Sequence, residues 1–243
     1  LTLAVILLLS GFPRITQIEF LQILGVGFVG YGMSLSLQFL GTKLSTAANG
    51  SLVTSATPAF VLLFAWMLLR ERITTRRLIA LILATLGVIA VIDPRTAQLD
   101  PALFLGNLFL IGAAVTWALY SVLVRKVTQN IDVLLFSFVA FIGGLPVTLP
   151  AGAWEWSTVG VGAITPGVVG GVLFLGVIST ALAMVLWNTA FAYLDASLAS
   201  LPFFVQPVVG TALGWLFLGE VITPLFLVGG VLIAIGLIVS SRE

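Results

Sequence analysis

The sequence predicts an all-α integral membrane protein built as an inverted-repeat helix bundle, and three observations carry that reading. Only 19 of its 243 residues are charged, 8% of the chain, while 60% are hydrophobic and mean hydropathy is +1.23. A soluble domain carries about 25% charge, so these side chains are too few to cover a globular surface in water. The charges are also clustered. They leave uncharged intervals at 20–42, 44–69, 101–124, 133–154, 156–194, 196–219 and 221–241, each at or beyond the ~20 residues that cross a bilayer. Third, the chain repeats itself at a fixed offset.

Breaks placed at charges and at Gly, Pro and Asn clusters give a partial span over 1–13 and eight full spans near 20–41, 47–69, 76–93, 102–124, 132–152, 165–191, 197–218 and 223–240. The run Leu1 to Leu9 is too short to span and lacks the charged start of a signal peptide, so it reads as the tail of a span that begins upstream. Helices are expected throughout, because barrel strands are ~10 residues of alternating polarity and these segments are twice that length and apolar on both alternations. The interval 78–92 is short, which predicts that Arg77 and Asp93 snorkel to opposite surfaces.

Cytoplasmic loops retain Lys and Arg. One side carries Arg14, Arg70, Arg72, Arg76, Arg77, Arg125, Lys126 and Arg242, and the other only Lys43 and Arg95. That asymmetry puts the first side, with the C-terminus, in the cytoplasm of a multi-pass inner-membrane protein. Trp154 and Trp156 are expected in a loop on the opposite side, at the level of an interfacial aromatic belt.

A shift of 149 superposes Ser51 on Ser200, Pro58 on Pro207, Trp66 on Trp215, Leu69 on Leu218, Glu71 on Glu220, Ile73-Thr74 on Ile222-Thr223 and Gly87 on Gly236. Pro, Trp and Glu are infrequent here and keep one gap-free register, which marks a duplication. The shift advances five spans, an odd number, so the two halves are expected to run through the membrane in opposite senses. The charges agree: Leu69-Arg70-Glu71-Arg72-Ile73 is followed by Arg76 and Arg77, whereas Leu218-Gly219-Glu220-Val221-Ile222 has no cation. The halves are 1–94 and 102–241. Completing the first by analogy with the second requires one and a half further N-terminal helices, ten in all, of which about eight full spans and one partial span are here.

Two inverted five-helix halves, with a Pro-centred helix running into Leu-Arg-Glu-Arg-Ile-Thr and again into Leu-Gly-Glu-Val-Ile-Thr, resemble the EamA type of the drug/metabolite transporter superfamily. The stretch Trp117-Ala118-Leu119-Tyr120-Ser121-Val122-Leu123-Val124-Arg125-Lys126 resembles the first helix of that family's second repeat. The resemblance implies a secondary transporter, an exporter of small organic solutes such as amino acids, metabolites or drug-like amphiphiles. The departure is a first helix, and part of a second, that the sequence does not show.

Candidate solute-binding residues fall on three faces. Ser51, Thr54, Ser55 and Pro58 follow i, i+3, i+4, i+7, and their mates are Ser200, Phe203, Phe204 and Pro207, with Gln206 opposite Thr57. A mid-helix Pro frees a backbone carbonyl, which is tolerated at membrane depth where it lines a cavity or is buried in protein. Two such helices in related positions point to a transporter's site; the alternative is a packing kink with Ser and Thr bonded back to their own helix. Tyr31, Ser34 and Gln38 pair with Thr180, Ala183 and Trp187, beside Asn188, whose amide is costly to leave facing lipid. Trp117, Tyr120 and Ser121 share a face with Ala113 and Ala114, either as a cleft wall or as ordinary packing. Gly210 and Gly214 form a small-xxx-small pair for close helix approach.

Other functions are excluded or disfavoured on chemistry. The chain has no Cys and no His, hence no disulfides, no thiol chemistry and no imidazole-held metal, and no cofactor or metal is expected. A net charge of +1 leaves no nucleic-acid footprint. Every carboxylate falls at an expected loop or helix end, and no mid-span Lys or Arg is available to hold an anionic substrate. An enzyme is not expected, since no nucleophile with a base is evident. The competing reading is a non-transporting membrane scaffold or inactive fragment. The expected partners are a small-molecule substrate and the lipid bilayer, with the protein a monomer or homodimer.

Overall fold

The structure, a computed structural model, describes residues 2–11, 13–45, 50, 53–92, 101–160, 162–218 and 224–241. It is all-helical there. We label α1 Thr2–Ser10, α2 Gln17–Leu44, α3 Thr57–Leu69, α4 Thr75–Ile92, α5 Phe104–Val127, α6 Val133–Val159, α7 Pro166–Tyr193, α8 Ala196–Ala199, α9 Val205–Leu218 and α10 Pro224–Ser241. Among the described residues α2, α5, α6 and α7 are each long and apolar enough to cross a membrane, and shorter apolar helices cover Thr57–Leu69, Ala196–Val209 and Leu227–Val239. The helix starts follow local chemistry. Thr16 and Glu19 form a reciprocal capping box on α2, and Asp132 and Thr165 accept the N–H groups of Leu135 and Val168 at the starts of α6 and α7.

Contacts divide the chain into two compact units, Leu1–Ser36 with Leu123–Leu194, and Leu37–Val122 with Asp195–Glu243. In the first, α2 packs on α6 around Ile23, Val26, Tyr31, Leu135, Phe136, Val139 and Ala140. Apolar burial gives little drive between helices in lipid, so close backbone approach matters more. A methyl group at Gly27 would lie 2.0 Å from the Ala140 carbonyl oxygen, and one at Gly143 would lie 2.2 Å from that of Leu24. Only glycine fits at either point. Arg125, in the last turn of α5, donates to the carbonyl of Ala192 at the end of α7.

In the second unit, α4 packs along α10. Ala84, Val88, Leu201, Phe204 and Ile233 make its core, with Leu81, Leu198, Val208 and Leu237 against it. The end of α2 approaches α5, where Ser45 Oγ donates to Asn107 Oδ1 at 2.6 Å.

Several expectations change in the structure. The spans expected over 47–69 and 197–218 are not single helices. A turn at Ser55–Ala56 precedes α3, and a 3₁₀ turn, Leu201–Phe204, separates α8 from α9. Pro58 is therefore the second residue of α3, where the missing N–H removes no intrahelical bond. It marks a helix start, not a mid-helix kink. Trp154 and Trp156 lie within α6, not in a loop, and are 72% and 70% exposed; α6 runs through Pro146 and Pro150 to Val159. Arg77 does not snorkel to open solvent but is held in an ion-pair cluster. Ser51, Asp93 and Glu220 lie outside the described residues.

Candidate functional site

The first unit gathers a buried polar cluster. In α2, Phe28–Ser34 is a π-helical segment, and in α7 so is Phe174–Leu182; under the 149 shift the first maps to 177–183, overlapping the second. A π turn takes an extra residue and rotates every later side chain out of the 3.6-residue register. Tyr31 and Ser34, within the segment, are buried at 3% and 1% exposure, while Gln38, one α-helical turn beyond Ser34, is exposed. Asn188, fully buried on α7, donates to Ser137 Oγ at 2.9 Å and to Tyr31 Oη at 3.5 Å. Ser137 in turn donates to the Val133 carbonyl. Asn188 thus has the interhelical partners that an amide among apolar helices requires. Ser137 escaped the sequence reading because its own helix-bonded hydroxyl looks ordinary without knowledge of what crosses it.

Tyr31 also stacks on Phe141, ring centroids 4.3 Å apart. Phe141 is one wall of a cleft of about 320 Å³, lined further by Phe138, Ile142, Leu145, Gly176 and Thr180. Its volume falls at the small end of the range for small-molecule sites, roughly 300–1,000 Å³. Every lining side chain is neutral, and Thr2 and Thr180 bring hydroxyls. Of the sequence candidates, Tyr31 and Thr180 are therefore joined through Phe141, and Tyr31 and Asn188 meet directly. Trp187 lies one turn before Phe191, with which it makes a tilted ring pair at 4.9 Å.

The second unit holds the other candidates. Thr54 donates to the Gly50 carbonyl and Thr57 to that of Thr54, each at 2.6–2.7 Å, the local bonding that Ser and Thr favour. Ser55, Thr57 and Pro58 are buried. Across the unit, Ser200 is buried and donates to the Ser197 carbonyl, Phe203 and Pro207 are half-buried, and Gln206 is exposed. Pro58 and Ser200 border one small gap of about 10 Å³, room for a single water. On α5, Tyr120 and Ser121 are fully buried, Ser121 donates to the Trp117 carbonyl, and Trp117 and Tyr120 form a tilted pair at 5.1 Å. Among the described residues no group of His, Cys, Asp or Glu has the arrangement of a metal site.

Four long apolar helices, with shorter apolar helices interrupted just before Pro58 and Pro207, are the pattern of a multi-pass helical membrane protein. The chain belongs to the EamA-like transporter family, whose model matches residues 1–92 and 104–242. It is similar to the uncharacterized transporters YyaM and YetK of Bacillus subtilis (strain 168). Each is 26% identical to it, over 218 and 213 residues, which is 89% and 87% of this chain and 71% and 64% of theirs. The chain thus spans about two thirds of the length of these relatives. A solved crystal structure superposes with a TM-score of 0.84 at 20% identity, covering 98% of this chain and 83% of that one; at that identity it establishes the fold.

Proposed function

We propose that this protein is a secondary transporter that exports small, uncharged or zwitterionic organic solutes across a bacterial inner membrane by alternating access between inverted halves, 1–94 and 102–241, with its C-terminus in the cytoplasm. The observation that carries the solute class is the cleft at Phe138, Phe141 and Thr180, whose lining is neutral throughout. Aromatic walls with the hydroxyls of Thr2 and Thr180 suit an amphipathic solute better than a phosphorylated one, which needs a fixed cation. Contacts in the second unit favour the inverted halves. Gly87 faces Gly229 and Ile233, and Gly236 faces Ala80 and Ala84; subtracting 149 from 229 and 233 gives 80 and 84. The contacts are mutual images, as a two-fold relation between α4 and α10 requires. The eight-to-two distribution of Lys and Arg supports the orientation.

The test is solute binding by the purified protein in nanodiscs against a panel of amino acids and metabolites. Thr180→Val keeps the shape and removes the hydroxyl, so it is expected to weaken the tightest-bound solute about tenfold, near the ~1.5 kcal/mol that a solute hydrogen bond contributes. Phe138→Ala is expected to weaken it further. Thr158→Val, on an exposed turn of α6, should change nothing. Affinity unaltered by both cleft substitutions would place the solute elsewhere.

A further inference from the structure

Glu71 begins as an ordinary loop residue and ends in an unusual position. The last turn of α3, Ala65–Leu69, is π-helical, and Arg70 closes it in the left-handed conformation at φ 57°, a backbone state that L residues with a Cβ rarely adopt. The reversal sends Glu71 back into the protein, its N–H bonded to the Ala65 carbonyl at 3.2 Å. There the Glu71 side chain is only 10% exposed.

Its carboxylate takes over the start of a helix 125 residues away. Oε1 accepts the N–H of Ala196 at 2.8 Å, and Oε2 accepts the Oγ–H of Ser197 at 2.6 Å and its N–H at 3.3 Å. Arg77 closes the cluster from α4, donating to Ser197 Oγ at 2.8 Å, to Glu71 Oε2 at 3.5 Å and to Asp195 Oδ2. Asp195 occupies the N-cap position of α8, where an Asp side chain ordinarily accepts one of the helix's own first N–H groups. Here it makes no such bond and pairs with Arg77 instead. Two carboxylates are thus available to one helix start, and the distant one holds it.

We propose that Glu71 and Asp195 form a cap-exchange latch on the segment Ala196–Phe204. Latched, Glu71 caps α8 and Arg77 ties both acids together. Released, Asp195 turns to cap its own helix and Glu71 withdraws into the arginine-rich loop beside Arg72 and Arg76. In the released arrangement Asp195 can accept the N–H of Ser197 or Leu198, as an N-cap side chain does, while that of Ala196 gives up its Glu71 partner, so opening costs one buried donor and the latched form is the favoured one. The segment it frees is the one whose 3₁₀ turn carries Phe203 and leads to Gln206 and Pro207. Such a two-state element is what a gate needs. Its role as a gate rests on the transporter reading above, while the exchange itself does not. Glu71, Arg77 and Asp195 are then positioning residues for transport.

Two measurements on the full chain in lipid nanodiscs test the latch, and neither involves a solute. Failure of the solute-binding experiment is therefore a separate result. In hydrogen exchange of the unaltered protein, the amide of Ala196 is expected to exchange at least a hundredfold faster than those of 80–88 and 229–236, despite being hydrogen-bonded and buried. Exchange as slow as that of α4 and α10 would make the contact static and overturn the proposal. The chain has no cysteine, so Ser200→Cys, at a position 1% exposed beside Pro58 and Leu201, reports opening by its maleimide labelling rate. Adding Glu71→Gln is expected to raise that rate tenfold or more while the protection of α4 and α10 stays intact. An unchanged rate would overturn the latch. So would loss of α4 and α10 protection, because Glu71 would then hold the fold together instead of switching it.

Discussion

Replacing Gly27 by leucine is expected to abolish the folded form of the unit that contains Tyr31 and Asn188. A methyl group there already meets the Ala140 carbonyl oxygen at 2.0 Å, with the Ala140 Cα and carbonyl carbon at 2.6 Å. These are backbone atoms of α6 and cannot rotate aside, so α2 and α6 must part by more than an ångström. Parting also strips the contacts around Ile23, Leu135 and Val139. Overpacking a tight interior costs about 1–3 kcal/mol and sometimes more; a leucine against backbone belongs at or above the top of that range. Gly25, two residues earlier on the same helix, is exposed, and a methyl group at that position would meet nothing within 4 Å. Gly25→Leu should therefore behave as an exposed substitution, within about 0.5 kcal/mol of the parent. Monodisperse yield and the helical melting transition in detergent separate the two: Gly27→Leu aggregates, and Gly25→Leu elutes and melts like the unaltered protein.

The second large effect is paired. Gly87→Val and Gly236→Val both push α4 and α10 apart, at contacts related by the 149 shift. The crowding differs in degree. A methyl at Gly87 meets the Gly229 carbonyl oxygen and Ile233 Cγ1 at 2.7 Å, while one at Gly236 meets the Ala80 carbonyl oxygen at 2.9 Å and Ala84 N at 3.2 Å. Both substitutions are expected to lower stability by about 1–3 kcal/mol, with Gly87→Val the worse. The double variant should cost less than the sum, because helices already separated by one valine accommodate the other. Denaturant or thermal titration of the four proteins gives the comparison, and full additivity would argue against a shared contact between α4 and α10.

The sequence makes the helices legible because a bilayer imposes a length and forbids unpaired charge, so spans stand out as gaps between Arg, Lys, Asp and Glu. It does not reveal the π segments of α2 and α7. Their extra residue leaves no compositional mark, and helical spacing alone does not show that Tyr31 and Ser34 are buried while Gln38 is exposed. Pro58 and Pro207 were readable as special positions, but proline marks a helix start as readily as a kink, and only the turns at 55–56 and 201–204 decide between them. The need of Asn188 for a partner was evident from its polarity. Which partner was not, since Ser137 and Tyr31 reach it from two other helices. Glu71 and Asp195 are the extreme case: each sits at an expected loop, and nothing local shows that one caps the other's helix.

Transport itself is tested most directly by flux into proteoliposomes holding the full-length protein, with radiolabelled amino acids and metabolites as solutes. Among the described spans no acidic or imidazole side chain occupies mid-helix to relay protons, and hydroxyls and amides do not titrate near neutral pH. The expected result is uptake that runs down the solute's own gradient, is accelerated by unlabelled solute inside, and is unaffected by a protonophore. Absence of protein-dependent flux for every solute, in liposomes where the protein is folded and correctly inserted, would contradict the transporter reading; accumulation against the gradient that a protonophore abolishes would contradict its uncoupled mechanism.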